Sequence, residues 1–219
     1  KVYDIERLAG KISYGSANGR DLISLKNSAK QLPMVKNILK NTTSPMLQDL
    51  YQNLDELTDI YELIEEAIVE DPPISVKEGG LIKLGYQEEI DHLKKATTEG
   101  KNWIIELEAK EREKTGIKGL KVGFNRVFGY YIEVTKSNLA QVPDTYIRKQ
   151  TLTNAERYVT EELKNLENQI LGAEEKVINL EYQAFVEVRD DIESKITRLQ
   201  TSAEVISILD VLCSFAQVA

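Results

Sequence analysis

Between residues 160 and 199, apolar side chains recur as Leu163, Leu166, Ile170, Ala173, Val177, Leu180 and Ala184, in alternating steps of three and four. Only a helix brings such positions to one side, and this spacing is that of a seam packed on a second helix. After Ala184 the steps lengthen to four (Val188, Ile192, Ile196), so the stripe drifts around the helix, as expected where a helix pair joins a bundle. A helix of that extent spans roughly 60 Å at 1.5 Å per residue, so part of it is expected to project. A second long helix is predicted from about Gln87 to Lys114, with a seam of Ile90, Leu93, Thr97, Gly100, Ile104 and Leu107. Gly100 costs a helix about 1 kcal/mol against Ala. A kink or bend is therefore expected there, with Trp103 packed where the helices meet.

Residues 1–70 read as helical too. Asp21 precedes LISLKNSAKQL, Pro33 interrupts, and Ser44-Pro45 opens a helix that continues through MLQDLYQNLDELTDIYELIEEAIVED until Asp71-Pro72-Pro73 stops it. ISVKEGGLIKLGY suggests a small hairpin or extended turn, and the chain contains no G-x-x-x-x-G-K-[ST] phosphate loop. Residues 201–219 are a further helix, with Cys213, the one cysteine, expected in its buried stripe. A single cysteine forms no internal disulfide, and without CxxC pairs a zinc site is not expected. No apolar run approaches the roughly 20 residues of a membrane span. KVYDIERLAGKI lacks an apolar leader core and an initiator Met, so the expectation is a piece of a larger protein.

Between the two long helices lies a stretch of different character. In GLKVGFNRV and GYYIEVTK, Leu120, Val122, Phe124 and Tyr130, Ile132, Val134 alternate with polar residues or glycine, which is the period of strands. A turn falls within NRVFG; SNLAQVPDT is a loop or short helix; YIRKQTLTNAERYV adds one or two strands with a turn near Thr153-Asn154. The fold class is therefore mainly α: a helical bundle with a long antiparallel helix pair carrying a small antiparallel β-sheet at its tip. The expected domains are 1–116, 117–159 and 160–219. The net charge is −8, yet residues 118–158 hold seven basic and three acidic side chains, +4, leaving −12 elsewhere. A positive tip on a negative chain is the footprint of a local polyanion contact. Charge alone does not separate a phosphate contact from an acidic protein partner, or from a tip whose lysines serve solubility.

Four segments carry a resemblance: DIERLAGKISYGSANGRDL, DPPISVKEGGLIKLGYQEEID, EREKTGIKGLKVGFNRVFGYYIEVTKSN and YIRKQTLTNAERYVTEELKNLENQILGAEEK. They resemble, collinearly and from Val2 to Ala219, the bacterial DNA mismatch-repair MutS family, over its lever and clamp regions. The resemblance implies a helical lever and a β clamp that closes on double-stranded DNA and meets the sugar–phosphate backbone without reading sequence. It also implies a self-dimer, a MutL-type partner, no membrane, and a cytoplasmic, nucleoid-associated location. The implied backbone contacts are Asn125, Arg126, Lys136, Ser137, Asn138, Arg148, Lys149, Thr153 and Asn154, on the turns at Asn125–Gly129 and Thr151–Glu156. Arg148 and Lys149 point to opposite sides of a regular strand, so one of them is expected to be structural.

The resemblance does not reach the family's ATPase domain or its N-terminal mismatch-reading domain with a Phe-x-Glu wedge. Phe185-Val186-Glu187 spells that pattern inside the long helix, with Phe185 near the seam and Glu187 expected in solvent. This chain is expected to be no enzyme and to need no cofactor of its own, ATP and Mg belonging to the full-length family. His92, the lone histidine, sits mid-helix, and no nucleophile–base–acid set stands out. The alternative function is a coiled-coil interaction arm whose β tip docks an acidic protein.

Overall fold

A computed structural model describes residues 2–218. They fall into two compact units: residues up to Gln87 together with those from Ile178, and Glu88–Val177.

The first unit contains α1 (Ile5–Ser13), α2 (Gly19–Ala29), α3 (Leu32–Leu39), α4 (Pro45–Asn53) and α5 (Thr58–Ala67). Asn18, rather than Asp21, caps α2: its side chain accepts from Asp21 N while the Asp21 carboxylate accepts from Asn18 N. Pro33 lies in the first turn of α3, where a missing N–H costs nothing. The single helix expected beyond Pro45 breaks at 54–57. Leu57, the one non-glycine residue with positive φ (53°) among those described, follows Asp55, whose Oδ1 accepts from Leu57 N. Arg198 binds Asp55 (2.7 Å) and Asp59 (2.9 Å), and Ser202 Oγ exchanges hydrogen bonds with the Asp55 backbone. These distant groups hold the break open.

The stretch after Pro73 forms turns and one isolated bridge, Ile68 with Ile82, instead of a regular hairpin. The buried Glu181 carboxylate accepts from Gly80 N and Ile82 N and ties it down.

The second unit holds α6 (Glu88–Thr115), then β1 (Lys121–Asn125), β2 (Gly129–Thr135), a 3₁₀ turn (Lys136–Gln141), β3 (Ile147–Thr151) and β4 (Ala155–Val159). α7 (Glu161–Ser194) begins here and runs without interruption into the first unit, where Ala184, Phe185, Val188 and Ile192 are buried. Phe185 is thus a core residue, and Glu187 is exposed. α7 ends at Ser194, short of the expected 199, and α8 (Ile196–Val218) follows. By length and composition α8 could cross a membrane, which corrects the sequence reading. Glu204 and Asp210 interrupt the apolar sequence of α8. In the bundle, Leu199, Ser202, Ala203 and Val205 of α8 are buried, and the helix packs on α1 and α4. Its C-terminal half is open, so Cys213 is exposed and not core.

Within the second unit α6 and α7 are antiparallel. Gly100 meets Ile170, Lys101 pairs with Glu174 at 2.9 Å, and Lys110 with Glu162 at 2.9 Å. The predicted α6 seam is the buried one: Ile90, Gly100, Ile104 and Leu107. α6 is helical without a break through Gly100. A Cβ at Gly100 would stand 2.7 Å from Ile170 Cγ1: the glycine is there to let the helices approach. Trp103 faces outward, 44% exposed, because the close contact is made one position round the helix, by Ile104. Gly100→Ala is therefore expected to destabilise by about 1–2 kcal/mol through overpacking, despite the roughly 1 kcal/mol favouring Ala in a helix. Urea unfolding of Gly100→Ala, Ile170→Ala and the double variant checks this. The double should lose less than the sum of the singles; additive losses would exclude the close contact.

Candidate nucleic-acid interface

The sheet has the order β1-β2-β4-β3, antiparallel throughout. Its apolar face places Ile132, Val134 and Tyr158 against Ile104, Leu107, Leu163 and Ile170 of the helix pair, so the period-2 and period-3.5 patterns meet in one core. Polar groups fasten the sheet further. Glu108 on α6 accepts from Val122 N (2.6 Å), and Arg112, paired to Glu108 at 2.6 Å, donates to Leu120 O (2.7 Å). β1 is an edge strand, and these bonds occupy backbone groups that an edge otherwise offers to other chains. On α7, Glu167 accepts from Tyr130 N at 3.0 Å.

Beneath the sheet sit two carboxylate–phenol pairs. Tyr146 O–H donates to Glu111, 2% exposed, and Tyr158 O–H donates to Glu156 at 2.6 Å; the two rings lie 5.9 Å apart. Burial first, then the bond to a carboxylate, pushes the Tyr158 phenol up to about 12, and the same causes push Tyr146 up.

The nine candidate residues are all on this sheet and its turns, but they do not form one patch. Antiparallel register puts Asn125 opposite Gly129 at one end of β2, and Thr135 opposite Ala155 at the other. β2 has seven residues, so the two ends lie about 20 Å apart. Asn125 and Arg126 occupy the first end. The Asn125 side-chain oxygen accepts from Val127 N (2.8 Å) and Phe128 N (3.3 Å) and shapes the turn; Arg126 is exposed. Lys136, Ser137, Asn138, Thr153 and Asn154 gather at the second end, where Lys136 N donates to Asn154 O at 3.0 Å. Asn138 Nδ2 donates to Thr135 Oγ1 (3.0 Å), and Ser137 Oγ lies 3.2 Å from the same hydroxyl.

Arg148 and Lys149 part company. A bulge between Arg148 and Gln150 takes Lys149 out of the ladder and leaves it exposed, whereas Arg148 pairs with the buried Glu156 at 3.5 Å. Arg157 is also neutralised, by Glu133 at 2.9 Å, and stacks on Tyr131 with 4.0 Å to the ring centre. Of the seven basic groups in 118–158, five (Lys118, Lys121, Arg126, Lys136 and Lys149) are exposed and make no ion pair among the described residues.

Sequence reasoning missed Glu108, Glu111, Arg112 and Glu167. Glu111 had a signal: it continues the Gly100, Ile104, Leu107 seam at the next four-residue step. Glu108 and Arg112 resembled an ordinary i,i+4 surface pair. No group of three His, Cys, Asp or Glu among the described residues could hold a metal ion. His92 is exposed, 3.4 Å from Glu88.

A four-stranded antiparallel sheet seated on two antiparallel helices, with exposed cations around its margins that make no ion pair among the described residues, defines a helix-borne β module. Comparison with known proteins makes the assignment specific. Residues 85–176 match the MutS family domain IV. The whole chain is 61% identical over 219 residues to the DNA mismatch repair protein MutS of Caldanaerobacter subterraneus, and 59% identical over 218 residues to that of Acetivibrio thermocellus. With the MutS of Clostridium kluyveri it shares 60% identity over 219 residues. The chain spans about a quarter of the length of these curated relatives, 25% in each case. This chain belongs to the MutS family.

The buried pairs yield a direct test. Tyr146→Phe removes the phenol donor from the buried Glu111 carboxylate, leaving it Lys114 at 3.5 Å, and is expected to cost about 1–3 kcal/mol. Tyr146→Phe with Glu111→Leu should recover much of that loss in urea unfolding. Because the folded phenols hold their protons more tightly than unfolded ones, their contribution is full below about 10 and lost as pH rises from there. Tyr146→Phe should therefore also flatten the alkaline fall in stability; an unchanged fall would show that Tyr146 contributes nothing to it.

Proposed function

We propose that this chain supplies a duplex-DNA backbone contact, made by the sheet module without reading base sequence. The observation that carries the reading is the main-chain bond between Lys136 and Asn154. It gathers a cation, two hydroxyls (Ser137 and Thr153) and two carboxamides (Asn138 and Asn154) at one end of the sheet. Short polar groups and lysines of this kind suit phosphate oxygens, which position a protein on DNA but carry no sequence information. Asn125 and Arg126 would meet the same duplex from the other end. About 20 Å of strand corresponds to roughly six phosphates along one DNA strand. Lys149 adds charge from β3, while Arg148 serves as the structural member of that pair.

The same reading extends to the longer proteins of which such a chain spans a quarter. There the module would act in a self-dimer on mismatched DNA, in the cytoplasm, with a MutL-type partner. ATP and Mg would be used by a domain outside this sequence. α7, continuous from the sheet into the first unit, is the element through which nucleotide state would reach the module.

The second reading is an arm that docks a protein. It is favoured by the exposed Phe124, Val127 and Phe128 at the β1–β2 turn. A salt titration with short homoduplex and mismatched duplex separates the two. The phosphate reading predicts equal, weak binding to both, on the order of 10⁻⁴–10⁻⁶ M near physiological salt. Lys136→Glu and Lys149→Glu should each weaken it and lower the slope of log K against log salt by about 0.9. Absence of binding at any salt concentration would favour the protein-docking arm.

A further inference from the structure

The β1–β2 turn is shaped by one residue and placed by another. Asn125 closes it from within, but those bonds are local and do not determine where the turn sits. The β1–β2 ladder joins the turn to its strands, and α7 ties it to the helix pair: Glu167 Oε1 accepts from Tyr130 N at 3.0 Å, immediately after the turn. Gly129 has φ +77°, and a Cβ on it would overlap the Glu167 carboxylate. The glycine is needed twice, for its left-handed backbone and for the close approach of a helix side chain. Glu167 is half-buried and has no ion-pair partner among the described residues. The carboxylate therefore faces the turn through this hydrogen bond and not through a salt bridge.

We infer that Glu167 is a positioning residue of this module: by holding the Tyr130 N–H it fixes where the β1–β2 turn presents Asn125 and Arg126. It touches no ligand itself. A turn already held need not be ordered when a polyanion binds, so the entropy of that ordering is removed from the binding step. The part of the inference concerning binding rests on the phosphate-contact reading; the part concerning the turn does not.

Two substitutions in the full chain separate charge from hydrogen bond. Glu167→Gln and Glu167→Ala both remove the negative charge, but only Gln keeps an acceptor for Tyr130 N. Amide hydrogen exchange should speed at Tyr130 by about tenfold or more in the Ala variant. The Ile132 amide, in the core of the same strand, should be unchanged and serves as the control for global stability. The Gln variant should exchange as the native chain does. For a short duplex at low salt, the Ala variant should bind several-fold more weakly than the Gln variant, with the same salt slope.

If Tyr130 exchange is unchanged in the Ala variant, the inference is overturned. If exchange speeds but Ala and Gln bind the duplex equally, the positioning role in binding is overturned. If the native chain does not bind duplex at all, the phosphate reading fails, and exchange at Tyr130 alone decides whether Glu167 holds the turn.

Discussion

Everything in the sheet module depends on how closely two helices approach at Gly100. α6 and α7 meet there with no side chain on one of them, and Ile170 fills the space. That contact draws the helix ends together so that Ile104, Leu107, Leu163 and Ile170 present one apolar platform. A single four-stranded sheet has one apolar face, which must be buried against another layer. Seated on the platform, it gains a buried face, and the helices supply the acids and the arginine that tie down its backbone.

The distribution of charge follows from that seating. Carboxylates from the helices point at main-chain N–H groups of the sheet, and carboxylates of the sheet itself hold Arg148 and Arg157. Glu108, Glu111, Glu133, Glu156 and Glu167 are thus committed to structure, and the exposed lysines at the sheet's margins make no ion pair among the described residues. A chain with net charge −8 can in this way offer a locally positive surface. The division also explains why arginine count is a poor guide here. Two of the three arginines in 118–158 form ion pairs, whereas all four lysines remain exposed and without one. Arginine's planar fork suits fixed pairing, and lysine's flexible stem suits solvent.

The helix pair and the strands were legible because each rests on a local period. The 3-4 spacing from Leu163 and the alternation around Ile132 survive any tertiary context that buries one face. The two turns were legible from Asn125, Gly129 and Asn154. What sequence reading missed was decided by partners distant in the chain. The break at Leu57 is held by Arg198, and the role of Gly100 is set by Ile170. A glycine in a helix looks like weakness until the neighbour is known. The candidate residues were legible as members of the sheet's turns and strands, but their arrangement was not. The two turns lie at opposite ends of β2, a consequence of register, and the list of turn residues did not express it.

The central claim is that the cations at the margins of this sheet meet a phosphate backbone while the sheet stays seated on its helices. Amide chemical shifts recorded while a short duplex is titrated into the chain at low salt test it most directly. The account predicts perturbations at Lys136–Asn138, Thr151–Asn154 and Asn125–Arg126, unchanged when the base sequence is altered, with α1 to α5 and the core amide of Ile132 undisturbed. Perturbations confined to the helices of the first unit, or shifts across the strands reporting loss of the sheet's seating, would contradict it.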